Sequence, residues 1–370
     1  PVRVLFLQQQ PCMRARKLAV GLRSAVPNLE LGFAYQGKTL SQWYGSGDEL
    51  FDRWWDLGDD PGSRLAAVVA EWRPDLIHSH NLPDTLTVLA HELVEGRIPV
   101  VHEVHDLQSL RQTPYENGFP QPTETESLER RAIEESAAVV TVSDELLAEI
   151  RARYTVNGRA LIFMNYALQS DVPRVAEFPR RRNGTRPCLV YQGTLSTNGG
   201  HYDLRAIFEA LAAEGVSLDV YPSREVSEYR ELAARVDGVT YHETVDPASL
   251  LSRLPRYDFG WAGFNDGLNA AHINTALPNK LFEYLACGLP VLALRHRAIA
   301  RFLRERGVGI ALDSPAGLTS ELARLDVGEL RKRVAAARAS LTVEANIGGV
   351  VDLYERLTAG DTATAAASGS

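Results

Sequence analysis

The first half of the chain alternates apolar runs of strand length with amphipathic segments of helical length. Continuous apolar runs such as residues 137–142 fit strands that are buried on both faces, as in a parallel sheet. The alternation therefore predicts a doubly wound α/β domain. The predicted strands are residues 2–7, 29–34, 75–80, 98–104, 137–142 and 159–164, and the predicted helices between them are residues 12–25, 61–72, 84–95, 123–136 and 143–154.

A second α/β alternation follows a segment rich in proline and arginine, residues 171–187, which predicts a linker. We expect two domains, residues 1–170 and 188–343, and a disordered tail at 360–370 because that segment is small and polar. In the second half the predicted strands are residues 188–192, 217–221, 239–242, 258–261, 291–294 and 309–312, and the predicted helices are residues 203–214, 226–236, 247–254, 278–287, 298–306, 328–340 and 345–358.

Two irregular segments interrupt the first domain. Residues 36–60 combine four glycines with four tryptophan and tyrosine side chains in their middle, and a loop this long is often functional. Its aromatic rings are either platforms for sugar rings or packing groups, with packing the commoner role. Residues 108–122, after the fourth predicted strand, are interpreted as a mobile flap.

Residues 277–293 predict a short helix followed by a strand. Pro278 suits the first turn, and Gly288 supplies a left-handed stop. An anion at the start of such a helix meets free N–H groups and Lys280, one of four lysines among 39 basic residues. The alternative is a surface pair between Lys280 and Glu283, worth roughly 0.2–0.5 kcal/mol.

Composition and charge exclude several classes of protein. The net charge of −8 argues against a nucleic-acid partner. Three cysteines without metal-ligand spacing favour reduced thiols, and neither a signal peptide nor a membrane span is predicted, so a cytoplasmic location is expected. Arg14, Arg16, Lys17 and Arg23 lie in the first predicted helix. Arg14, Arg16 and Lys17 either meet an anionic acceptor or a lipid surface, or form the solvated face of that helix.

Polar side chains follow two predicted strands. In an open parallel sheet, ligands bind beyond the carboxyl ends of the strands, which singles out His80 with Asn81 and His105 with Asp106. Neighbouring histidines raise the possibility of a metal site, but the zinc spacing His-Glu-x-x-His is missing and no Asp-x-Asp occurs. We therefore predict neither a metal nor another cofactor.

The second domain opens with a strand that runs into a glycine-rich turn, residues 190–200. Glycine there lets backbone N–H groups approach a phosphate closely. The turn has neither the Walker A spacing nor Gly-x-Gly-x-x-Gly, so it carries little weight on its own.

The combination of two α/β domains, one linker, this turn and the run Pro-x-Lys-x-x-Glu-Tyr-x-x-x-Gly-x-Pro-Val from Pro278 resembles the GT-B-fold glycosyltransferases, most closely the retaining family-four type. Residues 73–80, 101–106 and 138–143 also look like segments of that family's acceptor domain. The resemblance implies two Rossmann-like domains that face each other across a cleft, with the last helix, 344–359, crossing back to the first domain.

The resemblance also implies roles for single residues. Glu283 would bind the ribose of a UDP- or GDP-sugar, Lys280 and the first helix N–H groups would face the diphosphate, and His242 would lie near the base. Retaining transfer needs no protein base, whereas inverting transfer would use His105, oriented by Asp106. The implied donor-binding residues are Gly193, Thr194, Leu195, His242, Asn279, Lys280, Leu281 and Glu283, and the acceptor side is assigned to Gln10, Arg14, His80 and Asn81.

The chain departs from the family pattern at three positions. Thr194 and Asn198 stand where the glycine turn usually carries Arg and Lys, and Thr275 replaces the first Glu of a Glu-x7-Glu motif. Two alternatives stay open: a nucleotide-sugar epimerase of the same architecture, and a transferase-like subunit without catalysis. The acceptor, whether a glycan, a lipid-linked sugar or a small molecule, and peripheral membrane contact are not decided by the sequence.

Overall fold

The computed structural model describes residues 2–113, 122–171 and 186–359. These residues form two compact units. The first contains residues 2–110, 122–164 and 343–359, and the second contains 111–113, 165–171 and 186–342. Most of the predicted linker and the whole predicted tail lie outside the described residues, as does most of the predicted flap at 108–122.

The first unit is built on a seven-stranded sheet. All its strands are parallel, in the order β3-β2-β1-β4-β5-β6-β7. The strands are β1 (Arg3–Leu7), β2 (Glu30–Tyr35), β3 (Arg53–Asp56), β4 (Leu76–His80), β5 (Val100–Val104), β6 (Ala138–Thr141) and β7 (Arg159–Ile162); the helices are α1 (Met13–Ala25), α2 (Leu40–Tyr44), α3 (Pro61–Trp72), α4 (Thr85–Val94), α5 (Pro122–Glu134) and α6 (Asp144–Arg153).

The order of this sheet brings the polar strand ends together. β4 and β5 are neighbours, and their carboxyl ends lie at the same edge because the pairing is parallel. Both strands are buried along their whole length, as continuous apolar runs predict. The sheet therefore presents His80 and the residues after Val104 side by side.

One part of the prediction for the first unit is wrong. Residues 36–60 are not a single loop, because they contain α2 and the edge strand β3. Trp54 stacks on Phe33 with ring centroids 5.0 Å apart, and Trp55 packs on Trp72 at 5.4 Å. These two tryptophans cover the edge of the sheet. The sequence left two roles open for the aromatic rings, and Trp54 and Trp55 take the packing role.

The second unit repeats the architecture with six strands. All of them are parallel, in the order β10-β9-β8-β11-β12-β13. The strands are β8 (Cys188–Gly193), β9 (Ser217–Pro222), β10 (Val239–Tyr241), β11 (Phe259–Trp261), β12 (Val291–Leu294) and β13 (Gly309–Leu312); the helices are α7 (Arg205–Ala213), α8 (Ser227–Arg235), α9 (Pro247–Arg253), α10 (Ala270–Ile273), α11 (Asn279–Ala286), α12 (Arg297–Arg306), α13 (Leu318–Arg324) and α14 (Val327–Ala337).

The last helices of the described residues belong to the first unit, as the resemblance implies. Two helices, α15 (Val343–Asn346) and α16 (Gly348–Thr358), pack there. A β-carbon on Gly21 of α1 would lie 2.6 Å from Cγ1 of Val343, so the absence of a side chain lets α15 approach α1 closely. The prediction of one helix over 345–358 misses the break at Ile347.

The helix α11 has the ends that its sequence predicts. Pro278 is its N-cap residue, and Gly288 follows it with φ +80°. Leu281 and Leu285 are fully buried on the inner face. Among the helices of the described residues, none is long and apolar enough to cross a membrane.

Candidate active site

The strand ends of the first unit hold a compact polar cluster. The backbone N–H of His105 donates to Oδ1 of Asn81 at 2.9 Å, and Nδ2 of Asn81 donates to the carbonyl of Asp106 at 2.6 Å. Nδ1 of His80 lies 3.3 Å from Nε2 of His105. The structure thus brings together the four residues that the sequence predicted at these two strand ends.

The imidazole of His105 is neutral at physiological pH. Its burial, together with the nearby charge of Arg14, lowers its pKa to about 4. Burial and the neighbouring His78 also lower the pKa of His80 well below its usual value. Both polar atoms of the Asn81 side chain hold the backbone of residues 105 and 106, so Asn81 positions these two residues.

Behind this cluster lies a buried ionic network. The guanidinium of Arg14, on α1, contacts the carboxylate of Glu103 on β5. Glu103 also contacts Nε2 of His78 at 2.8 Å, and Nδ1 of His78 bonds to the hydroxyl of Tyr354 on α16. Although burial alone would raise it, the pKa of Glu103 is held well below its usual range by Arg14 and His78.

For Arg14 and Lys17, the alternative of a solvated helix face is wrong. Arg14 and Lys17 are each 4% exposed. Arg14 donates to the carbonyls of Phe163 and Met164 as well as to Glu103, so its donors are directed into the protein. The guanidinium of Arg14 is therefore not exposed to an acceptor. Gln10, in contrast, is exposed beside Gly37.

In the second unit, Lys280 of α11 reaches the carboxyl end of β8. Its Nζ donates to the hydroxyl of Tyr191 at 2.9 Å, and a β-carbon on Gly193 would lie 3.1 Å from this nitrogen. Nζ also lies 5.6 Å from the ring centroid of Tyr202 and 5.5 Å from that of Phe264. The alternative of a surface pair between Lys280 and Glu283 is wrong, because Lys280 is buried.

Burial changes the acidity of Lys280. Removal from water lowers its pKa to about 7, against a smaller raising effect from the carboxylate of Glu283. The ammonium has aromatic rings around it, and a neutral phenol is its hydrogen-bond partner. A lysine in this state gains a large part of its charge stabilisation when an anion arrives.

Glu283 lies one helical turn after Lys280, and it is half-buried. Nε2 of Gln192, the residue before Gly193, donates to its carboxylate. Gly193 has φ +126°, a backbone conformation that favours glycine. The end of β8 and the first turns of α11 therefore place a lysine, a carboxylate and an open glycine turn together.

The other predicted donor-binding residues differ in their exposure. Thr194 is exposed, and its carbonyl accepts from the hydroxyl of Tyr191 at 2.6 Å. Leu195 and Leu281 are buried core residues, so their side chains are not available to a ligand. Asn279, the first residue of α11, is half-buried.

His242 takes part in a second polar cluster, at the ends of β9 and β10. Its Nε2 lies 2.8 Å from Oδ2 of Asp219, which also accepts from the hydroxyl of Tyr257 at 2.7 Å. The imidazole stacks on Tyr221 with ring centroids 4.3 Å apart and an interplanar angle of 5°. Asp219 is buried, so it orients His242, whose side chain is 27% exposed.

Sequence reasoning missed Glu103, Tyr191 and Asp219. All three lie inside strands that read as ordinary buried runs, and their partners are far away in the chain. A charged residue within an apolar strand run is the one signal that could have marked Glu103 and Asp219. The residue that replaces the first family Glu, Thr275, is buried and donates to the carbonyl of His272.

Within residues 2–113, 122–171 and 186–359, no group of three or more His, Cys, Asp and Glu side chains is arranged to hold a metal ion. The side chains gathered at these sites are imidazoles, one lysine and hydrogen-bonded carboxylates.

Two family models match this chain. Residues 2–165 match the glycosyl transferase 4-like domain, and residues 200–350 match the C-terminal domain of glucosyltransferase 3-like proteins. The chain is a GT-B-fold glycosyltransferase. No curated protein matches its sequence significantly.

Solved structures share the fold of this glycosyltransferase at low sequence identity. Sucrose-phosphate synthase from Thermosynechococcus elongatus is 15% identical, with a TM-score of 0.68 over 97% of this chain and 100% of that one. The lipopolysaccharide outer core galactosyltransferase WaaB is 11% identical, with a TM-score of 0.66 over 97% and 100%. HepE from Anabaena, in complex with UDP-glucose, is 17% identical, with a TM-score of 0.62 over 95% and 100%.

The matches to transferase families over both units support a sugar transferase among the possibilities left open by the sequence. The similarity to solved structures adds the two-domain GT-B architecture, in which both sheets are parallel and the strands are joined by helices.

Proposed function

We propose that this glycosyltransferase moves a sugar from a nucleoside-diphosphate donor to an acceptor hydroxyl, with retention of the anomeric configuration. The observation that carries the proposal is Lys280, whose ammonium lies beside Gly193 at the carboxyl end of β8. Ligands of open parallel sheets bind at this edge. HepE, which shares the fold, is in complex with UDP-glucose, and this makes UDP-glucose the first donor to test.

In this proposal Lys280 is the main cation for the diphosphate. Thr194 and Asn198 supply no charge at the glycine turn, so charge stabilisation falls to Lys280 and the N–H groups at the start of α11. A charge-assisted hydrogen bond is roughly twice as strong as a neutral one. Its contribution grows as negative charge develops on the departing diphosphate.

Glu283 and His242 are proposed to bind the nucleoside. The carboxylate of Glu283 accepts hydrogen bonds from the ribose hydroxyls, in an orientation that Gln192 supports. His242, held by Asp219 and stacked on Tyr221, offers an aromatic face at the edge of the sheet. Asn279 lies at the start of the same helix and lines the phosphate side.

The lowered pKa of the His105 imidazole favours transfer with retention of the anomeric configuration. An inverting transferase needs a general base, and such a base works best with a pKa near the operating pH. The pKa of His105 is lowered to about 4, which makes its imidazole a weak proton acceptor. In retaining transfer the departing phosphate takes the acceptor proton, and the protein supplies electrostatic stabilisation alone.

The acceptor is proposed to bind in the first unit, next to His105 and Asp106. His80 and Asn81 support these two residues from behind, and Gln10 is the exposed side chain of the predicted acceptor set.

The test begins with calorimetry on UDP, GDP and their glucose conjugates, followed by transfer assays with the donor that binds. Lys280→Ala is expected to lower the transfer rate by at least about tenfold, which corresponds to roughly 1.4 kcal/mol. Lys280→Arg is not expected to restore it, because a planar guanidinium does not fit among the rings of Tyr191, Tyr202 and Phe264. The anomeric configuration of the product is read by NMR.

Lys332 provides the matched control. Its side chain is 80% exposed on α14, so Lys332→Ala removes the same charge without touching the site. Normal transfer by Lys280→Ala would assign the diphosphate to another cation. Absence of binding by every nucleotide would instead support the subunit without catalysis.

A further inference from the structure

His80 and His105, at the two strand ends, are within hydrogen-bonding distance of each other through one ring nitrogen of each side chain. Nδ1 of His80 lies 3.3 Å from Nε2 of His105. His80 is fully buried: its ring stacks on His78 with centroids 4.7 Å apart, and it contacts Phe6 at 5.3 Å. Its own Nε2 is buried and has no hydrogen-bond partner among the described residues.

This geometry discriminates between the two ways in which the histidines can share a proton. Both imidazoles are neutral, so each carries one N–H. If Nε2 of His105 donated, His80 would have to keep its proton on Nε2, which would be an orphaned buried donor. Orphaned buried N–H groups are rarer than under-satisfied acceptors. The favoured arrangement has His80 protonated on Nδ1 and donating to His105.

We propose that His80 is a positioning residue that fixes the tautomer of His105, with the His105 proton on Nδ1 and the Nε2 lone pair occupied. His105 then offers an N–H donor to an oxygen of the bound substrate, and not a free lone pair. The hydrogen bond made by one ring nitrogen of a histidine commonly determines whether the other nitrogen carries the proton. The consequence for the reaction rests on the proposed function, whereas the tautomer itself does not.

The charges around His105 keep this arrangement neutral. The groups that face it are Arg14 from α1, His78 and His80 from β4, Glu103 from β5, and Asp106 from its own segment. Arg14 and Glu103 form an ion pair and so largely cancel each other. An additional proton on His105 would be placed in a half-buried site without a new anionic partner.

The first experiment measures the tautomer directly. Protein labelled with 15N-histidine is studied by NMR at pH 7, and the His105 signals are assigned with His105→Gln. We expect the shifts of a protonated Nδ1 and an unprotonated Nε2. A protonated Nε2 in the wild-type protein would overturn the proposal, whatever the activity.

Variants of His80 then test its role. His80→Asn places an amide N–H near the position of Nδ1, so the tautomer of His105 and most of the turnover should survive. His80→Leu removes the donor, and we expect the tautomers to mix and kcat to fall by at least about tenfold while the donor Kd is unchanged. An unchanged His105 tautomer in His80→Leu would contradict the positioning role, and turnover equal to that of the wild type would contradict its consequence for the reaction.

The control is His91→Asn. His91 is a histidine of the same unit that bonds to the hydroxyl of Ser136, away from the strand-end cluster. It should change neither the His105 signals nor turnover. If no donor supports transfer, the proposed function fails while the NMR result still decides the tautomer; if transfer occurs with the opposite tautomer, only the present proposal fails.

Discussion

At the scale of single residues, Lys280 is held in a state that lowers the stability of the free protein. An ammonium in a site lined by aromatic rings has lost most of its water, and a neutral phenol is its hydrogen-bond partner. Its pKa is accordingly lowered to about 7. A residue retained at such a cost is typical of a binding or catalytic position.

We therefore predict that Lys280→Met stabilises the free protein. At pH 6 the gain should be about 0.5–2 kcal/mol, because an apolar chain of similar length replaces a buried charge. As the pH rises from about 7 towards 10.5, the native lysine loses its proton while the unfolded one keeps it, so wild-type stability rises. The difference in Tm between the two proteins should shrink over this range.

The measurement is thermal unfolding of both proteins between pH 6 and pH 9.5. Lys332→Met, at the exposed position on α14, should show no such trend. A Lys280→Met protein that is less stable than the wild type at pH 6 would show that the lysine is well satisfied in the absence of a ligand.

At the scale of elements, α11 is positioned by close contact with β11. A β-carbon on Gly260 would lie 2.2 Å from ring atoms of Tyr284, so the strand accepts the tyrosine only because this residue has no side chain. The hydroxyl of Tyr284 bonds to the backbone N–H of Gln192 and to the carbonyl of Trp261. Tyr284 thus ties the helix that carries Lys280 and Glu283 to two strands of the sheet.

Gly260→Ala should push Tyr284 out of this position. Overpacking of a buried site costs about 1–3 kcal/mol, which lowers the denaturant midpoint. Because α11 moves with Tyr284, nucleotide affinity should fall as well, although no ligand contact is changed directly. Urea unfolding and nucleotide calorimetry on the same variant check both effects.

Gly348 is a suitable control for this substitution. It opens α16, and a β-carbon there meets nothing within 4 Å. Gly348→Ala should be neutral or slightly stabilising, since alanine loses less backbone entropy in a helix. Unchanged stability of Gly260→Ala would mean that Tyr284 has room to move and does not fix the helix.

At the scale of the whole molecule, the charge distribution decides which surfaces the protein can bind. The chain carries a net charge of −8, and the two most promising basic residues of α1, Arg14 and Lys17, are buried. Each exposed basic residue would add about 1 kcal/mol of attraction to an anionic membrane. Buried ones do not make that contribution.

We predict that the protein does not sediment with phosphatidylglycerol vesicles at about 0.15 M salt. Arg16 and Arg23 are only partly exposed, and Arg23 is bound to Asp52 and two carbonyls, so they do not replace the missing patch. Cosedimentation at increasing salt is the measurement. If the protein does bind the vesicles, and if salt abolishes and Arg16→Ala weakens this binding, then the first helix contacts the membrane.

The sequence by itself determined the backbone architecture. Hydrophobic periodicity reports which residues face a core, and it placed most strands and helices of both units, together with the strand ends that carry His80 and His105. Pro278 and Gly288 marked the ends of α11, because proline fixes φ at its own position and glycine readily adopts the left-handed conformation there. These features depend on neighbours a few residues apart.

Only the tertiary structure decided which side chains meet. Arg14 pairs with Glu103, 89 positions away, and Lys280 bonds to Tyr191, also 89 positions away. The pattern of a helix does not show whether another element will cover its charged side. Arg14 and Lys280 were therefore both expected near the surface. The edge strand β3 was hidden for the same reason: its tryptophans find Phe33 and Trp72 only after the sheet has formed. Burial of charge is a property of the assembled layers, and it sets the acidity of Lys280 and His105.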